Sequence, residues 1–241
     1  MVEWKIPSLK KYVARCENKN EKDLEIVASE WMKVCAENKI DYELEWLGVP
    51  IIQTAEDIVL MQELIFKLQP DFIIETGIAH GGSLIYYASL LEILKKGTVI
   101  GIDIDIRKHN RKVIEAHPMF KRIEIIEGSS IDKKTIEKIK KIVGKKLKVI
   151  VCLDSNHTKD HVLKELELYK EFIQPGYYFV VFDMNTSQLA EMGVCDKTYL
   201  NNGPKEAVNE FLKNNKEFEI DIEFNKLYLS TSEDGYLRRL K

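Results

Sequence analysis

The sequence has few cysteines, and none of them lies in the spacing that zinc or dithiol chemistry uses. Cys16, Cys35, Cys152 and Cys195 are far apart, without a C-x-x-C pair. Reduced, mostly structural thiols are therefore expected. Residues 1–6 lack the apolar core of a signal peptide, and no stretch approaches the roughly 18 apolar residues of a membrane span. We expect a cytoplasmic protein without membrane insertion.

The sequence also lacks a strong charge of either sign. It has 36 basic and 39 acidic residues and a formal net charge of −3, so neither nucleic acid nor an anionic membrane is expected as a partner. Its 241 residues, 45% of them hydrophobic, suffice for one sizeable α/β domain with an appendage. No internal repeat or low-complexity linker divides the chain.

Residues 1–45 are predicted to form an N-terminal helical extension, and residues 46–241 the main domain. Apolar residues three and four apart between Lys22 and Glu37 indicate an amphipathic helix. Its apolar side is expected to pack on the main domain, with a dimer contact as the alternative. Thr54 and Asp57 have the spacing of a capping box that opens the next helix.

From residue 70 onward, strand-like runs alternate with helical ones, which favours a Rossmann-like, doubly wound, mostly parallel sheet with helices on both faces. The predicted strands are 71–75, 98–103, 122–126, 148–154, 177–183, 219–224 and 226–231. The predicted helices are 83–95, 107–115, 132–143, 160–173 and 203–214. The last two strands are expected to pair antiparallel, because a parallel pair needs a longer crossover.

The stretch after the first of these strands is predicted to bind a ligand. Glu75 stands at the end of the strand, and the glycines Gly77 and Gly81 leave the backbone open to a small molecule. Ser83 is expected to cap the following helix. Because the spacing is G-x-x-x-G-G and not G-x-G-x-x-G, NAD and FAD are not the first expectation. Asp103 follows a little over 20 residues later, where doubly wound folds place a carboxylate against a ribose.

The other predicted strand ends are also polar, and they meet at the same edge of a parallel sheet. Asp154, Asp183 and Asn185 offer the hard oxygen ligands that Mg²⁺ accepts, although both aspartates could instead cap helices or turns. Ser129 and Ser130 are candidates for adenine contact or for starting the next helix.

Two histidines follow Asp154 in this region. His157 is predicted to face the crevice and to act as a general base, with purely local hydrogen bonds as the alternative. His161, one helical turn later, is a weaker candidate for a catalytic or substrate role.

Several motifs together resemble one known family. E-T-G-I-A-H-G-G-S, V-I-G-I-D-I-D-I-R, E-G-S-S-I-D and L-D-S-N-H-T-K-D-H-V-L-K-E-L occur in this order, with W-L-G-V-P-I-I-Q before them and D-G-Y-L-R-R near the end. This set is similar to the cephalosporin hydroxylase/rhamnosyl O-methyltransferase family.

The resemblance implies a class I S-adenosylmethionine-dependent methyltransferase fold with a catechol-O-methyltransferase-like metal site. It also implies that separate residues contact the methionine part, the ribose and the adenine of the cofactor, and that two aspartates bind Mg²⁺. These contacts are Glu75, Gly77, Gly81 and Ser83 for the methionine part, Asp103 for the ribose, Ser129 and Ser130 for the adenine, and Asp154 and Asp183 for Mg²⁺. Relatives can carry an acid pair where this chain has Asp183-Met184-Asn185, so Asn185 is an open candidate for the third ligand.

The expected activity is O-methylation of a small-molecule or saccharide acceptor, in which Asp154 and the metal position a hydroxyl and His157 takes its proton. Two alternatives remain: hydroxylation with Fe(II) and 2-oxoglutarate, and a non-catalytic cofactor-binding scaffold. A homo-oligomer is possible, and the sequence does not identify the acceptor.

Overall fold

The computed structural model describes residues 19–145 and 148–241. Sequence expectations for residues 1–18, including the thiol of Cys16, lie outside this part of the chain. The described part forms a seven-stranded sheet between two layers of helices, together with a two-stranded hairpin. In the described residues, no helix combines the length and the apolar character that crossing a membrane requires.

The large sheet has the strand order β5-β4-β3-β6-β7-β9-β8. The strands are β1 (Glu45–Trp46), β2 (Val49–Pro50), β3 (Phe72–Thr76), β4 (Thr98–Asp103), β5 (Ile123–Glu127), β6 (Val149–Leu153), β7 (Tyr178–Val181), β8 (Phe218–Ile220) and β9 (Tyr236–Arg239). Strands β3 to β7 are parallel, and β9 runs antiparallel to both of its neighbours. The predicted doubly wound sheet with an antiparallel C-terminal pair is confirmed.

The helices cover both faces of this sheet. They are α1 (Glu21–Asn38), α2 (Ala55–Leu68), α3 (Gly82–Ile93), α4 (Lys108–Ala116), α5 (Lys133–Val143), α6 (Lys159–Tyr169), α7 (Thr186–Glu191) and α8 (Pro204–Asn214). Adjacent residues of β3 serve different layers, because side chains alternate across a strand. Ile73 packs in the core with α2 and α3, whereas Ile74 packs in the core with α5, α6 and α8.

The N-terminal helix was predicted nearly to its ends. In α1, Ala28 is buried, and the side-chain amide of Gln188 in α7 donates to Ser29 at 3.0 Å, so the helix packs on the main domain. The hydroxyl of Thr54 caps α2 by accepting from the Asp57 amide at 3.2 Å. The segment between these helices contains the β1–β2 hairpin.

The predicted strands at 219–224 and 226–231 are wrong in their positions. After the short β8, the Asp221 side chain caps a 3₁₀ turn at Ile222–Lys226, and the last strand of the sheet is β9. The apolar residues between Leu227 and Leu229 resemble a strand in sequence, but their segment leads into contacts with α2. Strand β9 enters between β7 and β8 and is therefore an interior strand.

Asp57 holds this C-terminal segment in place. Its fully buried carboxylate accepts hydrogen bonds from the hydroxyls of Thr54, Ser230 and Thr231, and from the Thr231 amide at 2.9 Å. A capping residue that reaches back only to its own helix would leave the segment before β9 without these contacts. The sequence predicted the cap, and the structure adds a long-range function for it.

We predict that Asp57→Ala lowers the free energy of unfolding by about 2–4 kcal/mol, because it leaves several buried donors without an acceptor. Urea denaturation measures this change. Glu56→Ala is the matched control: it removes an acid from the same helical turn, so a loss below about 1 kcal/mol is expected. Equal losses in the two variants would contradict the proposed anchoring role of Asp57.

Candidate cofactor and metal site

The polar ends of the parallel strands meet at one edge of the sheet, around three adjoining cavities. Gly77 lines the first two cavities, and Asp154 lines the second and the third. Their volumes are about 190, 40 and 270 Å³, in that order. Apart from Glu75, which is fully buried, and Asn185, the predicted site residues therefore line these adjoining cavities.

The glycine turn after β3 approaches its neighbours too closely for any side chain. A Cβ on Gly77 would lie 2.0 Å from the carbonyl oxygen of Asp154, and one on Gly81 would lie 2.4 Å from the Ile114 side chain. Both glycines also have left-handed backbones, with φ of +91° and +92°. The side-chain amide of Asn110, a residue that the sequence gave no reason to select, fixes the turn by donating to the Ala79 carbonyl at 2.7 Å.

Ser83 does not cap α3, which corrects the sequence expectation. Gly81 is the N-cap residue, and the Ser83 hydroxyl instead donates to Glu75 Oε2 at 2.7 Å. The serine lies two positions after the N-cap residue, inside the helix, and there its hydroxyl faces the end of β3. Its role in the structure is to hold the Glu75 carboxylate.

Glu75 is fully buried, and one of its oxygens has no bonded partner. Among the described residues no donor reaches Oε1, and the nearby Tyr87 hydroxyl lies outside hydrogen-bonding geometry. Burial raises the pKa of the Glu75 carboxyl to about 8, while the hydroxyls of Ser83 and Tyr87 act in the opposite direction. A cationic or N–H donor group at this position would complete the hydrogen bonding of the carboxylate.

Asp103 lies at the end of β4 and borders the 190 Å³ cavity. Its Oδ2 accepts from the backbone amides of Ile78 at 2.9 Å and Ala79 at 3.4 Å, and its Oδ1 accepts from the Asp105 amide at 3.1 Å. These bonds link the carboxylate to the glycine turn. A carboxylate has about four lone-pair directions, so Asp103 retains the capacity to accept from a ribose hydroxyl.

Ser129 and Ser130 line the same cavity. The cap of the following helix is Asp132, whose side chain accepts from the Lys134 amide at 3.0 Å. The helix-starting alternative therefore applies to Asp132 and not to the serines. The Ser130 hydroxyl lies 3.1 Å from His161 Nε2, a contact between the loop after β5 and the first turn of α6 that the sequence did not predict.

Asp154, His157 and Asp183 form a cluster in the third cavity. One potential ligand atom from each lies within 4.8 Å of the others. His157 Nε2 is 3.1 Å from Asp183 Oδ2. Thr158 is the N-cap residue of α6, so His157 lies just before the helix, in the loop that follows β6. Two carboxylates and an imidazole are a donor set that a divalent cation accepts.

The charges of this cluster favour a cation. Burial raises the pKa of the Asp154 carboxyl well above its usual range, and the carboxylates of Asp183 and Glu75 add to the shift. Asp183 also has a left-handed backbone, with φ of +54°. Bringing like charges together is unfavourable unless a positive charge lies between them.

Asn185 is not brought into this cluster. It is the N-cap residue of α7 and lines a separate cavity, between α7 and α1, whereas His157 occupies the third position beside the two aspartates. Its assignment as a metal ligand remains a prediction without support from the geometry.

The third cavity also contains residues that the sequence analysis missed. They come from the N-terminal extension, from the start of the main domain and from the C-terminal segment, and include Asp41, Tyr42, Gln53, Thr54 and Thr231. Nothing in the local sequence indicated these positions, because long-range packing alone brings them to the strand ends. The N-terminal extension therefore helps to form the wall of the candidate acceptor cavity.

Comparison with known proteins assigns the family. The model of the Rhamnosyl O-methyltransferase/CmcI family matches residues 38–240, which is most of the chain. The chain belongs to this family. The family match begins near the end of α1, so it includes the segment with Asp41 as well as all the strand ends.

The curated relatives carry the name of this family. The Rhamnosyl O-methyltransferase of Mycobacterium tuberculosis strain H37Rv is 29% identical over 164 residues, or 66% of this chain and 64% of that protein. The Mycobacterium leprae protein of the same name is 27% identical over 161 residues, or 66% of this chain and 68% of that protein. The chain thus spans just under two thirds of the length of the M. tuberculosis relative.

The solved structures show the same fold. Apo CmcI has a TM-score of 0.62 at 20% identity, with 83% of this chain and 77% of that chain covered. CmcI with Mg and SAM has a TM-score of 0.58 at 19% identity, with 83% and 78% covered. An O-methyltransferase from Bacillus cereus in complex with SAH has a TM-score of 0.54 at 14% identity, with 80% and 81% covered. The predicted class I methyltransferase type of fold is confirmed.

We predict that Gly77→Ala destabilises the protein by more than about 3 kcal/mol, because the added methyl group meets rigid backbone. Gly176→Ala is the matched control. Gly176 has a similar φ of +85°, but nothing lies within 4 Å of an added methyl group, so a loss of about 1 kcal/mol is expected. Chemical denaturation measures both losses, and similar values would show that the close approach at Gly77 is unimportant.

We also predict that Glu75 makes stability depend on pH. The folded protein holds the Glu75 proton more tightly than the unfolded chain, so the free energy of unfolding falls as pH rises from about 5 to about 8. Glu75→Gln should remove this contribution, worth up to about 1.4 kcal/mol per pH unit. The variant should therefore gain stability relative to the wild type across this range. Parallel stability–pH profiles would contradict the raised pKa.

Proposed function

We propose that this protein is an S-adenosylmethionine-dependent O-methyltransferase, with Mg²⁺ as the metal and a hydroxyl of a small molecule or saccharide as the acceptor. The observation that best supports this proposal is the row of adjoining cavities, in which Gly77 and Asp154 lie between the Asp103 cavity and the acidic cluster. A transferase needs a donor site and an acceptor site in contact. The names of the curated relatives support the same class of reaction.

The residues of the first two cavities fit the cofactor, together with the buried Glu75 that Ser83 holds. The unpartnered Glu75 oxygen suits the amino group of its methionine part, and the glycine turn leaves room for that part beside the backbone. Asp103 is in position to accept from the ribose, and Ser129 and Ser130 border the space for the adenine. S-adenosylmethionine supplies an electrophilic methyl group on a positively charged sulfur.

The third cavity fits Mg²⁺ and the acceptor. Asp154 and Asp183 would hold the metal, with His157 beside them. Bound Mg²⁺ lowers the pKa of a coordinated hydroxyl and fixes its position. CmcI has been solved with Mg and SAM, which supports this choice of metal.

His157 is the group we assign to proton removal. When its Nε2–H donates to Asp183 Oδ2 at 3.1 Å, Nδ1 is left as the basic nitrogen of the ring. Asp183 then orients the imidazole and stabilises the positive charge that protonation creates. The Asp154 carboxylate, together with the metal, would position the acceptor hydroxyl. The transfer requires no covalent intermediate with the protein.

The hydroxylase alternative is not favoured by the arrangement of histidines. A facial triad for Fe(II) uses two histidines and one carboxylate, whereas the cluster found among the described residues has one histidine and two aspartates. His161 contacts Ser130 and Ser155 in the neighbouring cavity instead. The scaffold alternative predicts cofactor binding without turnover on any acceptor.

We predict micromolar S-adenosylmethionine binding by calorimetry, and Mg²⁺ binding to the complex with S-adenosylhomocysteine. Asp154→Asn should weaken Mg²⁺ binding more than about tenfold, because it removes a charged ligand, and should change S-adenosylhomocysteine affinity less than about threefold. The Asp154→Asn variant should also lose methyl transfer. Rhamnosides are the first acceptors to test, given the names of the relatives.

Asp160→Asn is the matched control, since Asp160 is an exposed acid in the first turn of α6. It should leave Mg²⁺ binding and turnover unchanged. Full activity of Asp154→Asn in EDTA would exclude the metal role, and absence of S-adenosylmethionine binding to the wild type would exclude the proposed function.

A further inference from the structure

A buried carboxylate stands behind the 190 Å³ cavity, and the mechanism above does not use it. Glu165 lies on α6, one turn after His161, and is fully buried. Its Oε1 accepts from the Ser155 hydroxyl at 2.7 Å, and its Oε2 has no hydrogen-bond partner among the described residues. A buried carboxylate is unfavourable for folding unless its hydrogen bonds compensate for lost hydration.

The hydrogen bond from Ser155 to Glu165 fixes the direction of the next one. A serine hydroxyl has a single proton, and here that proton goes to the carboxylate. At its 3.2 Å contact with His161 Nε2, the Ser155 oxygen can therefore only accept. It follows that His161 carries a hydrogen on Nε2.

The hydrogen on His161 Nε2 also determines whether the Ser130 hydroxyl donates or accepts. The Ser130 hydroxyl oxygen lies 3.1 Å from His161 Nε2, and because that nitrogen carries the hydrogen, the oxygen is on the accepting side. The hydroxyl proton of Ser130 is then free for another partner. Ser130 lines the cavity, and the Tyr169 hydroxyl holds its backbone carbonyl at 3.0 Å.

We propose that Glu165, acting through Ser155 and His161, sets the Ser130 hydroxyl as a hydrogen-bond donor to an acceptor atom of the adenine in the cavity. Glu165, Ser155 and His161 are positioning residues, and Ser130 is the binding residue. The inference rests on the proposed function, because the nucleoside of the methyl donor is the ligand in question. It adds a fixed direction to the contact: the protein donates and the base accepts.

The proposed chain of hydrogen bonds makes an unusual prediction for two variants. Glu165→Gln keeps the shape of the side chain but provides an N–H donor, which lets Ser155 accept from the amide and donate to His161. Nε2 then becomes an acceptor, and Ser130 must donate to it. Ser155→Ala should be milder, because His161 Nε2 lies 3.4 Å from Glu165 Oε1 and can donate to it directly.

The test measures binding of S-adenosylhomocysteine and of 5′-methylthioadenosine, which lacks the amino-acid part, by calorimetry. Glu165→Gln and Ser130→Ala should each weaken both nucleosides about tenfold, the loss expected for one hydrogen bond. Ser155→Ala should weaken them less than about threefold. Glu167→Gln, the same substitution on the same helix, is the control, since Glu167 pairs with Lys170 away from the cavity.

A purely structural role for Glu165 would not change the histidine tautomer, which ¹⁵N NMR of the ring reports. The wild type should show His161 with hydrogen on Nε2, and Glu165→Gln should show it on Nδ1. Assignment uses the signal lost in His161→Gln. Hydrogen on Nδ1 alone in the wild type overturns the inference even if Glu165→Gln fails to fold.

Different results would contradict the proposed function and the inference about Ser130. If wild-type protein binds neither nucleoside, the proposed function is wrong. If it binds both and Glu165→Gln binds them equally well, the proposed function stands and the inference is overturned. A loss for S-adenosylhomocysteine without a loss for 5′-methylthioadenosine also overturns it, because the effect would then lie at the amino-acid part.

Discussion

The contact between the Gly77 backbone and the Asp154 carbonyl is the constraint on which the candidate site depends. Strands β3 and β6 are neighbours in the sheet, and the chain departs from them in different directions: from β3 it goes on to β4, and from β6 to β7. Crevices in doubly wound sheets form at such a point. Because an added Cβ at Gly77 would lie only 2.0 Å from the Asp154 oxygen, only the backbone separates the Asp103 cavity from the acidic cluster.

The electrostatics of the site follow from this closeness. Burial raises the pKa values of the Glu75 and Asp154 carboxyls, and for Asp154 the neighbouring carboxylates of Asp183 and Glu75 add to the shift. Without cationic ligands such a site opposes folding at neutral pH. With a cation between Asp154 and Asp183 and an amino group at Glu75, the same charges would contribute to binding. In the proposed function, the charges that lower the stability of the free protein would therefore strengthen the binding of its ligands.

The sequence predicted what local patterns determine. The parallel strands, the helices between them and the polar residues at the strand ends follow from apolar periodicity and from the rule on strand ends. The position of β9 could not be predicted from local patterns, because the apolar run at Leu227–Leu229 looks like a strand in sequence. The distant carboxylate of Asp57 instead binds the residues that follow this run. Asp41 and Gln53 could not be predicted as cavity residues for a similar reason, since tertiary packing alone brings them there.

One backbone angle separates Asn185 from the acidic cluster. In sequence, Asn185 stands two residues after Asp183 and looks like its natural companion. The left-handed φ of +54° at Asp183 changes the direction of the chain directly after β7, and Asn185 becomes the N-cap of α7, facing α1. His157, from the end of the adjacent strand, lies beside Asp183 instead. Asp and Asn tolerate this conformation better than most residues, so an aspartate here can be both the turning point of the chain and a member of the cluster.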